Sequence, residues 1–275
     1  MAKQTMISSR RFKDDFQEID LGGDLLVSKG TFTVIAGPCA AESRDQLMRT
    51  AEALAGLGIS VFRAGCFKPR TDPYAWQGSG EKGLVWLDEV RRQYGMRIIS
   101  EVSNYTNFSA VEQCADIIQI GAKSVYDHSV LTGSGKSKKP VLIKRGFGAT
   151  VSEYLRMTEY ILSEGNQNVM LCERGIRTFE TSTRFTLDLC GAAVMQEETR
   201  LPLILDPSHA AGRAQLVPGL ALASAAFGCD GLLIEVHCNP AESLCDKEQA
   251  MSTGDFAELL VRIKDLAKMN GRVVV

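Results

Sequence analysis

"GLLIEV" (231–236) sets Leu232, Leu233 and Ile234 side by side, with no alternation of apolar and polar residues. A strand with one face in water alternates, whereas strands of a parallel sheet covered on both faces do not. Seven earlier runs share this character: "FTVIA" (32–36), "SVFRA" (60–64), "RIISEV" (97–102), "DIIQI" (116–120), "PVLIK" (140–144), "NVMLCE" (168–173) and "PLILD" (202–206). Helix-like segments lie between and after them, at 44–56, 81–94, 151–163, 180–196, 215–227 and 255–268. The last of these puts Phe256, Leu259, Leu260, Ile263 and Leu266 on one face at helical spacing. Eight strand-then-helix units are closed most economically as a (β/α)8 barrel, an α/β fold that occupies about 250 residues. The chain has 275, enough for one such domain over residues 31–275. Residues 1–30 form an extension in which "DLGGDLLVSKG" (20–30) turns at Gly22-Gly23, predicting a hairpin that closes the barrel bottom.

Composition narrows the function classes. Hydrophobic residues make up 45% and charged ones 23%, and the net charge is −2. That balance gives no bulk positive field for nucleic acid. No apolar run approaches the roughly 18 residues of a membrane span, and the start, "MAKQTMISSRRFKDDF", has no apolar core after its charges. Eight scattered cysteines without a C-x-x-C pair fit reduced thiols and a cytoplasmic setting.

Reactive groups of this fold collect at the C-terminal ends of the strands. There the chain offers Cys39 in "AGPC", Arg63 followed by Lys68, Arg70 and Thr71 in "KPRT", and Glu101. Gln119 and Lys123, Lys144 and Arg145, then Glu173, Arg174 and Arg177 come next, before "DPSH" (206–209) and Glu235 and His237 in "EVH". Basic residues at four strand ends of a nearly neutral protein repel one another unless an anion sits among them. Phosphate and carboxylate groups suit such a ring. Cys39, His209, Glu235 and a later acid could together bind a divalent transition metal (Mn, Fe, Co or Zn). Asp206, Ser208 and His209 also contain the residue types of an acyl-transfer triad. No G-x-S-x-G elbow is present, and triad members normally converge from separate segments, so a serine hydrolase is excluded.

With these residues in view, the chain resembles the 3-deoxy-D-arabino-heptulosonate 7-phosphate (DAHP) synthases, type Iβ branch, which group with the 3-deoxy-octulosonate 8-phosphate synthases. The resemblance is carried by "IAGPCAAES" (35–43), "FKPRTDPYAWQG" (67–78), "KKPVLIKRGFGAT" (138–150), "LCERGIRTFET" (171–181), "LDPSHAAGR" (205–213) and "DGLLIEVHCNPAESLCD" (230–246). It spans roughly residues 30 to 265. It implies condensation of phosphoenolpyruvate with erythrose 4-phosphate at the entry of the shikimate pathway, toward aromatic amino acids. By the same resemblance Cys39, His209, Glu235 and Asp246 bind a divalent metal. Arg63, Lys68, Lys123, Lys144 and Arg174 hold phosphoenolpyruvate, and Arg70 and Thr71, with Asp206 and Ser208, serve the aldose phosphate. Lys68, Glu101 and His209 are the catalytic candidates, and a homodimer or homotetramer is expected.

KPRT favours DAHP formation over the octulosonate synthases, which carry a KANRS-like sequence there. Condensation of phosphoenolpyruvate with another phosphorylated aldose, as in an octulosonate synthase or a specialised-pathway relative, is the alternative. A barrel that binds sugar phosphates for regulation is the alternative class, although mere binding needs no metal. Two departures stand out. Lys123 and Ser124 replace the family's usual Arg-Asn, exchanging a two-pronged donor for a point charge. Cys238 and Cys245 add thiols near the metal end, which predicts pairing with Cys39 on oxidation. Thirty leading residues are too few for the ferredoxin-like regulatory domain of some relatives, and no chorismate-mutase bundle is expected.

Overall fold

The computed structural model describes residues 6–11, 13, 15–68 and 72–275. Eight parallel strands form the barrel: β3 (Thr31–Gly37), β4 (Val61–Arg63), β5 (Arg97–Val102), β6 (Ile117–Ile120), β7 (Val141–Lys144), β8 (Val169–Glu173), β9 (Leu203–Leu205) and β10 (Gly231–His237). Each pairs with the next in sequence, and β10 pairs with β3 from Gly231↔Thr33 to Glu235↔Gly37, closing the ring. The chain is therefore a (β/α)8 barrel, as its non-alternating runs predict. Before it, β1 (Ile19–Gly22) and β2 (Leu25–Val27) pair antiparallel. Gly22 and Gly23 take positive φ in their turn, where a Cβ on Gly23 would collide with the Arg97 guanidinium.

Two cores follow from the two faces of each strand. Inside the ring, Ile35, Val61, Ile99, Ile117, Leu142, Met170, Ile204 and Leu233 pack together, and Ile19, Leu21 and Val27 of the hairpin join them from below. The hairpin thus stops the bottom of the barrel. Outside the ring, alternate residues such as Phe32, Val34, Phe62, Ile98, Ile118 and Ile143 pack against the helices. These are α1 (Arg44–Gly56), α2 (Glu81–Tyr94), α3 (Phe108–Cys114), α4 (His128–Lys136), α5 (Val151–Ser163), α6 (Leu189–Glu198), α7 (Pro207–Ala211), α8 (Val217–Phe227) and α9 (Thr253–Met269). Side chains fix several starts, with Ser43 accepting from Gln46 N ahead of α1 and Thr150 and Glu153 forming a capping box ahead of α5. Two short strands, β11 (Met251–Ser252) and β12 (Val273–Val274), lie alongside β10 and β3.

The predicted helix at 180–196 is corrected. Asp188 caps α6 by accepting from Gly191 N at 2.7 Å, so the helix starts at Leu189. Ahead of it Ile176 and Thr186 pair as an antiparallel bridge, which makes 177–187 a loop over the barrel top. No helix among the described residues is long and apolar enough to cross a membrane.

Candidate metal and anion site

The period of two that fills the barrel also builds the site. Two positions beyond an inward apolar residue, the same strand face presents a polar one at the open end. Val61 leads to Arg63, Ile99 to Glu101, Ile117 to Gln119 and Leu142 to Lys144. Cys172 leads to Arg174, Ile204 to Asp206 and Leu233 to Glu235. On β3 the corresponding position is Gly37, whose φ of 143° and closeness to the Arg63 backbone leave no room for a Cβ. The chain then reaches Cys39 two residues later.

Cys39, His209, Glu235 and Asp246 converge so that one ligand atom from each lies within 4.8 Å of the others. Donors at metal–ligand lengths of 2.0–2.3 Å span at most about 4.6 Å across one ion, so the set needs only a small contraction. Asp206 accepts from His209 Nδ1 at 3.0 Å through Oδ1 and lies 2.8 Å away through Oδ2. That contact fixes the tautomer and leaves Nε2 as the lone-pair nitrogen, 3.6 Å from Glu235 Oε2. Burial lowers the affinity of His209 for a second proton. Glu235 Oε1 is buried without a hydrogen-bond partner among the described residues, and an orphaned acceptor of that kind costs about 1–3 kcal/mol unless something occupies it. Burial, then the neighbouring Cys39, pushes the Glu235 carboxyl well above the usual range. Its Cys245 partner and burial push the Cys39 thiol up to about 11. A cation between them would reverse both shifts by displacing the protons. Asp246 carries a φ of 56°, rare for a non-glycine residue, and points its carboxylate to Cys39 Sγ at 3.3 Å and Arg184 Nη1 at 3.3 Å. Donor chemistry, spacing and orphaned oxygen all fit a divalent ion.

Beside this cluster opens a cavity of about 160 Å³ whose lining includes Lys68, Lys123, Lys144, Arg174 and Arg184, against the carboxylates of Glu101 and Asp246. Arg174 stacks over the Phe185 ring at 4.4 Å, burial lowers its pKa, and its Nη1 has no hydrogen-bond partner among the described residues. A buried donor of that kind calls for an anion. Lys68 Nζ lies 3.1 Å from Cys39 Sγ. Burial alone would lower its pKa, but Cys39, Cys245 and Glu101 outweigh it and hold the ammonium above its usual range. Glu101 accepts from Gln119 Nε2 at 2.6 Å, in space that a side chain at Gly121 would fill.

Of the residues singled out from sequence, Cys39, Lys68, Glu101, Lys123, Lys144, Arg174, His209 and Asp246 line this cavity. Arg63 lies beneath it, donating to Pro38 O at 2.8 Å and touching His209 Nε2 at 3.3 Å. Asp206 and Ser208 do not line it. Asp206 is fully buried, pairing with Lys144 Nζ at 2.8 Å as well as with His209, and Ser208 Oγ accepts from Glu235 N at 3.0 Å. Their setting is that of supports for Lys144, His209 and Glu235. Arg70 and Thr71 lie outside the described residues. His237 stands apart from the ligand cluster, its Nδ1 accepting from Asn239 N at 2.9 Å and its Nε2 3.5 Å from Glu42 Oε2. Of the two additional thiols, Cys245 Sγ lies 3.4 Å from Cys39 Sγ, while Cys238 Sγ turns to Gln46 O. Three participants carried no sequence signal: Phe185, Arg184 and Gln249, the last donating to Glu235 Oε2 at 2.8 Å.

Comparison with known proteins gives the family. The DAHP synthetase I family matches residues 13–271. The phospho-2-dehydro-3-deoxyheptonate aldolase of Thermotoga maritima is 45% identical over 269 residues, covering 98% of this chain and 79% of the relative. The solved structure of a truncated form of the Thermotoga maritima 3-deoxy-D-arabino-heptulosonate 7-phosphate synthase superposes with a TM-score of 0.91 at 42% identity, covering 98% of both chains. A 2-dehydro-3-deoxyphosphooctonate aldolase of Acidithiobacillus ferrooxidans is more distant, 32% identical over 83% of this chain and 87% of the relative. The chain belongs to the DAHP synthetase I family.

Proposed function

We propose that this protein condenses phosphoenolpyruvate with erythrose 4-phosphate, forming DAHP and releasing inorganic phosphate. The observation that carries the reading is the unpartnered Arg174 Nη1, buried in a cationic cavity that opens directly onto the Cys39–His209–Glu235–Asp246 cluster. An anion and a carbonyl oxygen would meet there. Arg174, Lys144 and Lys123, with Arg63 beneath, take the phosphate and carboxylate of phosphoenolpyruvate, and Arg70 and Thr71 take the aldose phosphate. When bound by the four ligands, a divalent ion supplies Lewis-acid polarisation of the aldehyde carbonyl. C3 of phosphoenolpyruvate then attacks the aldehyde carbon, water adds at C2, and phosphate leaves with C–O cleavage. Lys68 and Glu101 face the same cavity with opposite charges and handle the protons of that water. Asp206 orients His209 and neutralises Lys144, and Ser208 anchors the Glu235 backbone. Polar partners behind a ligand set its direction as firmly as the ligand's own rotamer does.

The 32% identity to an octulosonate-forming relative favours a second reading, condensation with a five-carbon aldose phosphate. Phosphate release from phosphoenolpyruvate, measured against a panel of four- and five-carbon aldose phosphates with and without chelator, separates the two. Release with erythrose 4-phosphate, abolished by chelator and restored by Mn(II), is the expected result. Turnover only with a five-carbon aldose overturns the DAHP assignment, and turnover unaffected by chelator overturns the metal.

A further inference from the structure

We propose that Gln249 is a positioning residue that holds two of the metal-binding carboxylates, Glu235 and Asp246, in register through one side-chain amide. The inference rests on the metal reading of the cluster. Gln249 is only 2% exposed although it follows the last barrel strand in an irregular segment. Its Nε2 donates to Glu235 Oε2 at 2.8 Å, and its Oε1 accepts from Arg184 Nη1 at 2.8 Å. The same Arg184 nitrogen lies 3.3 Å from Asp246 Oδ1. A relay therefore runs from one carboxylate to the other, Glu235–Gln249–Arg184–Asp246. Its backbone adds a second link, because Gln249 N donates to Asp246 O at 3.1 Å. That bond closes the turn in which Asp246 holds its positive φ.

The consequence for the site is directional. Gln249 occupies Glu235 Oε2, so the oxygen left without a partner is Oε1. Without the amide, the Glu235 carboxylate could rotate toward the Arg63 guanidinium, already 3.7 Å from Oε2. Only an amide serves both ends of the relay: glutamate lacks the donor for Glu235, and methionine lacks a strong acceptor for Arg184.

The test uses the full chain, stripped with chelator and titrated with Mn(II), free Mn(II) being read by electron paramagnetic resonance. Gln249→Glu and Gln249→Met are each expected to weaken Mn(II) binding about 10–100-fold, the usual cost of losing a group that orients a ligand. Thermal unfolding of the metal-free proteins should stay close to wild type, and the d–d bands of the Co(II)-loaded variants should shift. Arg184→Met reads the relay from its other end, and combining it with Gln249→Met should cost less than the sum of the two single effects. Wild-type affinity in both Gln249 variants, or strictly additive losses, overturns the inference while leaving the metal reading intact. A wild-type protein that binds no Mn(II) overturns that reading and the inference with it. If the Gln249 variants do not fold, Arg184→Met decides alone: weakened binding supports the relay and unchanged binding overturns it.

Discussion

At the scale of single residues, Cys39 and Cys245 set up a competition for the metal. Their sulfur atoms are 3.4 Å apart, and a disulfide requires about 2.05 Å. A small movement of the 243–246 segment would close that gap. Peroxide treatment of chelated protein is therefore expected to join them, two thiols and one peroxide giving a disulfide and two waters, with a mass loss of about 2 Da. Mn(II) binding should disappear with the free thiols and return with reductant. Cys245→Ser should protect binding and Cys238→Ser should not, since the Cys238 sulfur turns to Gln46 O and not to Cys39. Retention of both thiols and of Mn(II) affinity after peroxide would discard the idea. A strand's period of two carries an inward apolar residue to an inward polar one, and so makes Glu235 legible in the sequence from Leu233. Cys39 and His209 are legible only as groups just beyond strand ends, and Asp246 enters through the family resemblance. Gln249 and Arg184 were not readable, because both lie in loops whose course no residue period encodes. Asp206 and Ser208 read from sequence as aldose-phosphate contacts, whereas in the fold they do not line the cavity and face His209, Lys144 and the Glu235 backbone.

Among the elements, helices announced themselves where an apolar stripe coincided with a cap. The start of α5 is such a case: Thr150 Oγ1 accepts from Glu153 N at 3.2 Å while Glu153 Oε2 accepts from Thr150 N at 2.9 Å. Thr150→Ala is expected to lower Tm by about 2–4 °C, the size of effect a lost cap produces in a chain this long. The backbone bond from Thr150, then its hydroxyl, holds the Glu153 carboxyl below its usual range. A depressed carboxyl contributes stability above its unfolded-state pKa and loses it as pH falls through the folded one. The gap between wild type and variant should therefore be full at pH 7 and narrow below about pH 4. Equal Tm values at pH 7 would show that the box contributes nothing measurable. Where stripe and cap parted company, the sequence misled. At 180–196 an Asp cap lies eight residues inside the helical pattern, and the loop before it places Phe185 over Arg174 instead. "HSVLTGSGK" in α4 has too many weak helix formers to stand out. Its small residues are required by contact, since a side chain on Gly135 would collide with Ile161 and Glu164 of the α5 segment.

Taken as a whole molecule, the barrel closes where its first and last strands meet, and the ligand cluster straddles that seam. Cys39 follows β3, Glu235 lies on β10, His209 sits on α7 after β9, and Asp246 comes from the segment beyond β10. An ion held by all four would cross-link parts of the chain more than 200 residues apart, such as Cys39 and Asp246, at the one strand pairing that joins the two ends of the sheet. Binding to the folded state alone stabilises it by about 2.7 kcal/mol at a free ion concentration 100 times Kd. Chelated protein titrated with Mn(II) should thus show Tm rising with the logarithm of metal concentration above Kd. His209→Ala, which removes a ligand without touching the strands, should flatten that dependence. Because the seam unites the β3 and β10 ends, hydrogen exchange in both strands should slow together on metal addition, while β6 and β7 on the far side change less. A Tm independent of Mn(II) would show that the folded protein binds no ion in preference to the unfolded chain, and a dependence unchanged in His209→Ala would place the ion outside this cluster. Slowing confined to the 243–249 loop would show that the ion orders a local segment and does not brace the closure of the barrel.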